Sequence, residues 1–136
     1  MIGTNEQFDQ FITDHRWAVI TTLREGGQPS SSFVAYARDG DTLLVSTPGM
    51  TLKRKTLDAD PRVTICMTTN SEPFNFVTVE GTATIEHDDL VQNTRKVFDQ
   101  LAGTGWQEPD DLEGWLTSQQ RVIIRIHPDR VSGVIR

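Results

Sequence analysis

One segment of the chain gathers the residue types that bind a small anion. Two hydroxyls end a predicted strand, a Pro-Gly turn follows, and three cations stand in the first turns of a predicted helix. The residues are Ser46, Thr47, Pro48, Gly49, Thr51, Lys53, Arg54 and Lys55. A helix N-terminus is already positive, so cations are unfavourable there unless an anion is bound. Backbone amides, hydroxyls and lysines together make a phosphate site.

A solvated basic helix face would account for the composition of this segment equally well. The placement after a strand and a Pro-Gly turn favours the phosphate site, because that is where helix amides, hydroxyls and lysines converge. We therefore take Lys53 and Lys55 as candidate phosphate ligands.

The rest of the sequence shows no catalytic constellation. It contains no glycine-lysine phosphate loop, no GxGxxG and no paired metal-ligand spacing. His15, His87 and His127 are far apart at the ends of elements, and the Ser30–Ser32 run has no partner base. Cys66 stands alone between apolar neighbours, which indicates a buried structural thiol. We predict no metal site and no catalytic side chain.

The charge distribution restricts the partners. The net charge is −6, and residues 86–113 carry eight acids against two bases, whereas residues 46–66 are locally basic. We do not expect an acidic chain to bind nucleic acid, but we do expect that it can hold a small anion at one locally basic site. No stretch has the apolar length of a membrane helix, and the N-terminus lacks signal-peptide features. We expect a cytoplasmic protein that folds as a single domain over residues 1–136.

The first half of the chain predicts a short helix followed by strands. Thr4 and Gln7 form a capping-box pattern, and Phe8, Phe11, Ile12 and His15 share one helix face. Strands are predicted over 17–23, 31–37 and 42–47, with turns at Gly26-Gly27 and Asp39-Gly40, which together suggest a three-stranded meander. A basic helix is predicted over 51–59 before Asp60-Pro61.

The second half predicts strands over 63–68 and 76–85, and then a helix capped by Asp88 and stopped by Gly103. Leu112, Trp115 and Leu116 suggest one more short helix. Two closing strands are predicted around His127-Pro128. Six or seven strands in hairpin order, with appended helices, predict a mainly β fold: an antiparallel split β-barrel.

The ordered set of these segments resembles the pyridoxamine 5′-phosphate oxidase-like, FMN-binding split barrels. The likeness covers residues 17–133 and is most like the actinobacterial branch that uses the deazaflavin coenzyme F420. No single motif is specific, and the order carries the resemblance. Its pieces include Val34-Ala35-Tyr36, Ser46-Thr47, Lys53 with Lys55, Asp60-Pro61-Arg62-Val63, Val79-Glu80-Gly81 and Arg130-Val131.

The resemblance implies a homodimer with cofactor sites at the interface and a small-molecule substrate. Lys53 would bind the cofactor phosphate, helped by Lys55, Thr51, Ser46 and Thr47. Pro29, Ser30, Ser31 and Ser32 would pass along the ring system, and Phe76 of the other chain would pack near it. A flavin-type cofactor carries the hydride chemistry itself, which agrees with the lack of a catalytic constellation. Trp106 could cover a substrate or pack against the late helices.

Three functions stay open at this point. The first is a reductase that uses reduced coenzyme F420 to transfer a hydride to a small oxidised organic substrate. The second keeps the barrel but binds FMN as an oxidase or flavin reductase. The third is a non-enzymatic cofactor-binding or haem-binding protein, for which the three histidines are the obvious axial ligands.

Overall fold

The computed structural model describes residues 1–136, with four helices and seven strands. The helices are α1 (Glu6–Asp14), α2 (Leu52–Ala59), α3 (Leu90–Asp99) and α4 (Leu112–Ser118). The strands are β1 (Trp17–Leu23), β2 (Pro29–Ala35), β3 (Ala37–Asp39), β4 (Thr42–Thr47), β5 (Arg62–Thr68), β6 (Phe76–Glu86) and β7 (Val122–Val134).

All strands belong to one antiparallel sheet in the order β2-β1-β5-β6-β7-β4-β3. The two edge strands, β2 and β3, are joined through the single residue Tyr36. Because its edges are tethered this closely, the sheet curls on itself and encloses a core. Tyr36 is buried, and its hydroxyl donates to the carbonyl of Ile12 at 2.6 Å. The fold is a split β-barrel, as predicted from the sequence.

The predicted three-stranded meander is wrong in its second half. β1 and β2 form the expected hairpin, and β3 pairs with β4 around Asp39-Gly40. However, β4 takes β7 as its other neighbour, with Val45 opposite Ile124, and it does not pair with β2. Local turn signals identify hairpins, but they carry no information on a partner that lies about eighty residues further along the chain.

The end of the chain forms one long strand and not the two predicted closing strands. β7 runs through His127-Pro128 without interruption and pairs with β6 along its whole length. Glu80 lies opposite Arg130 and Gly81 opposite Pro128, so Asp129 is the extra residue of a bulge next to Pro128, which has no amide hydrogen to donate. Gly81 is required there, because a Cβ at this position would collide with the carbonyl of His127.

Three predicted helix boundaries also move. Asn5, and not Thr4, caps α1: its side-chain oxygen accepts from the amides of Gln7 and Phe8 at 2.9 and 3.1 Å. Asp89, in the left-handed region, precedes α3 in place of Asp88. α3 ends at Asp99, and Gly103 lies in the turns that follow. In the first two cases the neighbouring residue has the same capping chemistry, so the sequence leaves the position open by one residue.

The helices close the ends and one side of the barrel. Phe11 and Ile12 of α1 and Leu57 of α2 enter the main core, which contains eighteen buried residues. α3 packs instead on the outside of the sheet, where Val97 meets Leu44 and Ile123 in a second small cluster. The start of α2 is not covered by α3 and lies beside the ends of β4 and α4.

The outer face of β2, β1, β5 and β6 has no helix over it. Side chains on this face, including Val19, Cys66 and Thr78, are half-buried, and Phe33 is 64% exposed. Cys66 is therefore a side chain of the outer sheet face and not the buried thiol that its apolar neighbours predict. The period-two alternation explains the difference, because Ile65 and Met67 point inward and the residue between them must point out.

Candidate functional site

The predicted strand-turn-helix segment is present where the sequence places it. β4 ends at Thr47, and α2 begins at Leu52 with Thr51 as its N-cap. Thr47 is only 1% exposed, and its hydroxyl lies 2.9 Å from the hydroxyl of Thr51, which donates in turn to the carbonyl of Pro48 at 3.1 Å. These hydroxyls fix the turn. The Thr51 side chain makes no cap bond, so the first amides of α2 have no side-chain acceptor.

Lys53 is half-buried on α2 and has no carboxylate partner. Burial lowers the pKa of its ammonium group below the ordinary value of 10.5, and the nearby charge of Arg121 lowers it further. Both causes disfavour the charged form, and both would be relieved by an anion. The structure thus brings a second cation to Lys53 that the sequence analysis had not assigned to the site.

Arg121 comes from the connection between α4 and β7. Its Nη1 donates to the hydroxyl of Ser46 at 3.2 Å, its Nε donates to the side chain of Gln119 at 2.7 Å, and its guanidinium lies over the ring of Trp115. Burial lowers the pKa of Arg121 as well, and no acid compensates it. The sequence signal was weak, because a lone arginine before a strand is common. Only the β4–β7 pairing places it beside Ser46.

Lys55 is separated from Lys53 by the geometry of the helix. Two positions along an α-helix correspond to a rotation of about 200°, so the two side chains leave opposite sides. Lys53 is half-buried, whereas Lys55 is exposed and lines a cavity together with Arg54 and Arg121, to which Lys53 does not contribute. Its role as a helper of Lys53 stays a prediction, and the observed neighbour of Lys53 is Arg121.

The four residues predicted to follow the ring divide between two faces of β2. Pro29 and Ser31 lie on the outer face, where the Ser31 hydroxyl is 2.8 Å from that of Thr21. Ser30 and Ser32 alternate to the other face. β2 is an edge strand with β1 as its only partner, so one row of its backbone groups is unpaired and can hydrogen-bond a planar ligand.

Phe76 opens β6 on the uncovered outer face, opposite Thr68 on one side and Val134 on the other. It is half-buried and belongs to a different part of the sheet from the Lys53 region. The prediction that Phe76 of a second copy packs near the ring is not tested by a single chain and stays a prediction.

The three histidines do not converge. His15 stacks on Phe11 with the ring centres 3.7 Å apart, and its Nδ1 is 2.8 Å from the Phe11 carbonyl oxygen. The Nε2 of His127 is 3.1 Å from the Thr84 hydroxyl, and His87 is exposed near α3. No group of three or more His, Cys, Asp or Glu side chains is arranged to hold a metal ion.

Trp106 packs beside the aromatic side chains of α3 and α4. Its ring centre lies 4.1 Å from that of Phe98, which is in turn 5.7 Å from Trp115. The aromatic side chains thus form a continuous series of contacts that ends at the guanidinium of Arg121. Of the two roles considered from the sequence, packing is the one that these contacts describe.

The residues around Lys53 fit a phosphate group. Two half-buried cations lack an anionic partner, the Ser46 hydroxyl lies beside Arg121, and the first amides of α2 have no side-chain acceptor. The Thr47 hydroxyl is buried and bonded to that of Thr51, so it supports the turn and does not face a ligand. Charge-assisted hydrogen bonds from such groups are the usual means of holding a phosphate. The donor set would be hard to explain as a purely structural cluster, because each cation is costly to bury alone.

Sequence and structure comparisons agree with this architecture. The profile of the family described as pyridoxamine 5′-phosphate oxidase matches residues 4–135. The chain therefore belongs to the pyridoxamine 5′-phosphate oxidase-like family of split barrels. No curated protein matches the sequence.

Three solved structures illustrate the shared fold. A conserved hypothetical protein of Mycobacterium tuberculosis, Rv2991, is 21% identical with a TM-score of 0.78, over 98% of this chain and 85% of its own. A structure described as an F420 reductase is 22% identical with a TM-score of 0.77, over 95% and 98%. A FAD-binding protein of Mesorhizobium loti is 21% identical with a TM-score of 0.72, over 96% and 94%. Likeness at this level of identity establishes the fold alone.

None of the four helices is both long and apolar enough to cross a lipid bilayer.

Proposed function

We propose that the protein is an oxidoreductase that uses a reduced deazaflavin, coenzyme F420, to transfer a hydride to a small oxidised organic substrate. The observation that carries the proposal is the pair of half-buried, uncompensated cations, Lys53 and Arg121, beside the hydroxyls at the end of β4. In the proposal, this pair binds the cofactor phosphate.

The protein contributes binding and orientation in this proposal. Lys53 and Arg121 hold the phosphate, and Thr47 and Thr51 fix the turn that carries the α2 amides toward it. The unpaired edge of β2 offers backbone donors and acceptors to the ring. When bound, the ring supplies the hydride chemistry, so no catalytic side chain is required. A proton needed by the substrate would come from water.

The choice of a deazaflavin rests on two supports. The sequence resembles the branch of the family that uses coenzyme F420, and one structural neighbour is described as an F420 reductase. FMN remains the alternative cofactor, because a single phosphate on a flavin would satisfy the same two cations. A haem has less support, since two of the three histidines have intramolecular partners and the third, His87, lines a cavity whose charged side chains are cations.

A homodimer is part of the proposal. The outer face of β2, β1, β5 and β6 carries half-buried and exposed apolar side chains with no helix over them, including Phe33 and Phe76. Exposed apolar patches of this kind mark interaction surfaces. A second copy seated there would cover the face and would bring its own Phe76 near the ring edge of β2.

The test is a paired titration of purified protein, freed of bound cofactor, with coenzyme F420 and with FMN, followed by ring fluorescence. We expect micromolar or tighter binding of coenzyme F420 and weaker binding of FMN. The reverse order would select the FMN version of the proposal. If neither cofactor binds below the millimolar range and a Soret band develops on haem titration, the oxidoreductase proposal is wrong.

Activity is measured separately with a quinone such as menadione as the oxidised substrate. Reduced coenzyme F420 should be reoxidised in the presence of both the protein and menadione, and slowly with either alone. The Lys53→Ala variant is the matched control, since it should lose the acceleration at sub-saturating cofactor while keeping the fold.

A further inference from the structure

A cavity of about 480 Å³ lies between the start of α2 and the connection from α4 to β7. Its lining includes the side chains of Arg54, Lys55, His87 and Arg121. Leu90 and Leu116 form part of its apolar wall. Lys53 does not line it, whereas Arg121, which belongs to the phosphate site proposed above, does.

The charged side chains that line this cavity are all cationic. Three cationic side chains and one imidazole line it, and no carboxylate does. The acids that follow His87 in sequence, Asp88 and Asp89, line a different cavity with Arg125. A chain with a net charge of −6 has more acids than bases to place, so an acid-free basic cavity is unexpected unless an anion is bound there.

The cations in the cavity are incompletely satisfied. Arg54 donates from Nη1 to Asp58 at 2.7 Å, but its Nε is buried and has no acceptor. Lys55 has no partner within the chain, and Arg121 bonds only to the neutral groups of Ser46 and Gln119. Arg54 is thus paired with an acid, and the cations of the cavity that have no acid partner are Lys55 and Arg121.

The walls of the cavity are held in place without a ligand. The amide of Gly49 donates to the carbonyl of Gln119 at 3.3 Å, and a Cβ at Gly49 would collide with the carbonyl of Gln120. The Pro-Gly turn before α2 is therefore packed directly against the end of α4. A preformed site loses little conformational freedom on binding, which favours affinity for a small ligand.

We propose that this cavity is a second anion site, which binds a carboxylate or phosphate group other than the phosphate at Lys53. The group has two possible sources: a further anionic group on the cofactor, or an acidic substrate. The charge and shape of the cavity belong to the chain itself and do not depend on the identity of the cofactor.

The direct test is calorimetric titration of the cofactor-free protein with citrate at low ionic strength. The key variant is Lys55→Gln with His87→Gln, because both side chains are exposed and the barrel should fold without them. Arg24→Gln is the matched control, an exposed cation outside the cavity. We expect one citrate per wild-type chain, at least tenfold weaker binding in the double variant, and unchanged binding in the control.

Two results would overturn the proposal. One is equal citrate affinity, or none, in the wild type, the double variant and the Arg24→Gln control. The other is a Lys53→Ala variant that loses citrate as completely as it loses cofactor, which would make the two sites one. The citrate titration contains no flavin, so its result can be interpreted even if the protein binds neither coenzyme F420 nor FMN.

The source of the anionic group follows from repeating the titration on loaded protein. Citrate that still binds with FMN saturating indicates a site open to an acidic substrate. The tail of coenzyme F420 carries additional carboxylates, which FMN lacks. If citrate binds in the presence of FMN but not in the presence of coenzyme F420, the cavity is the binding site of the cofactor tail.

Discussion

The guanidinium carbon of Arg121 lies 4.3 Å from the centre of the Trp115 ring, while Nη1 of the same side chain reaches the Ser46 hydroxyl at 3.2 Å. The arginine is thus held on an aromatic face at one end of α4 and directed at the end of β4. Stacking on an aromatic ring orients the guanidinium and lowers the entropy lost when it binds a ligand.

Replacing Arg121 should weaken phosphate binding. For Arg121→Gln we expect a loss of about 1.5–3 kcal/mol in cofactor affinity, the scale of one charge-assisted hydrogen bond. Trp115→Leu keeps the charge and removes the stacking partner, so its loss should be smaller, about 0.5–1 kcal/mol. Fluorescence titration measures both. A larger effect of Trp115→Leu than of Arg121→Gln would contradict this account of the pair.

Replacing Lys53 should separate affinity from stability. Lys53→Ala removes a half-buried charge that has no partner, so the melting temperature should stay the same or rise slightly. Cofactor affinity should fall by about 1.5–3 kcal/mol. Lys55→Ala is the control, and its effect on FMN binding should be less than about threefold because the side chain leaves the opposite side of α2. Unchanged affinity in Lys53→Ala would remove Lys53 from the phosphate site.

Cofactor affinity should decrease at alkaline pH. The pKa of Lys53 in the free protein lies below 10.5, and a bound phosphate stabilises the protonated form. Affinity is therefore full well below the pKa of the free protein and is lost as pH rises through it. Titrations from about pH 7 up to the ordinary lysine pKa of 10.5 measure the effect. Lys53→Arg should bind with little pH dependence in this range, since arginine stays protonated. An equally steep decline in that variant would assign the titration to another group.

Asp39 should contribute to stability against acid. Hydrogen bonds from Arg125 and then Lys96 hold the pKa of Asp39 below its ordinary value of 3.8, at distances of 2.8 and 3.2 Å. A lowered pKa in the folded state means that the contribution is present above 3.8 and is lost as pH falls through the folded pKa.

Asp39→Asn should accordingly lower the free energy of unfolding near pH 7 by about 1 kcal/mol and flatten its decline below about pH 4. Urea unfolding at a series of pH values measures the difference, and the other acids contribute equally to both proteins. Parallel curves for the two proteins across this range would show that the network around Arg125 is not an acid-sensitive element.

The dimer proposal is tested by placing charge on the uncovered sheet face. Thr78 is the third residue of β6 and lies on this face, so Thr78→Arg should produce a monomer at micromolar concentration in sedimentation velocity. Gln92→Arg on the exposed side of α3 should sediment like the wild type. A wild-type protein that is already monomeric under these conditions would refute the interface.

The sequence was sufficient for elements that depend on local signals. The β1–β2 hairpin follows from Gly26-Gly27, and α4 follows from the spacing of Leu112, Trp115 and Leu116. The sequence could not predict the pairing of β4 with β7, because no local pattern in either strand specifies a distant partner. The same gap hid the most informative site residue. Arg121 meets Ser46 only through that pairing, whereas Lys55 lies close to Lys53 in sequence and is the helper that the sequence predicts, a prediction that stays open.

Tyr36 has a further consequence for how the chain folds. Since it alone separates the two edge strands, bringing those edges together closes almost no loop and costs little entropy. The step with the largest entropic cost is the pairing of β4 with β7 in the interior of the sheet, because about eighty residues of the chain separate the two strands. Folding should therefore be slow for a chain of this length, with the β4–β7 ladder, and not the seam of the barrel, forming last.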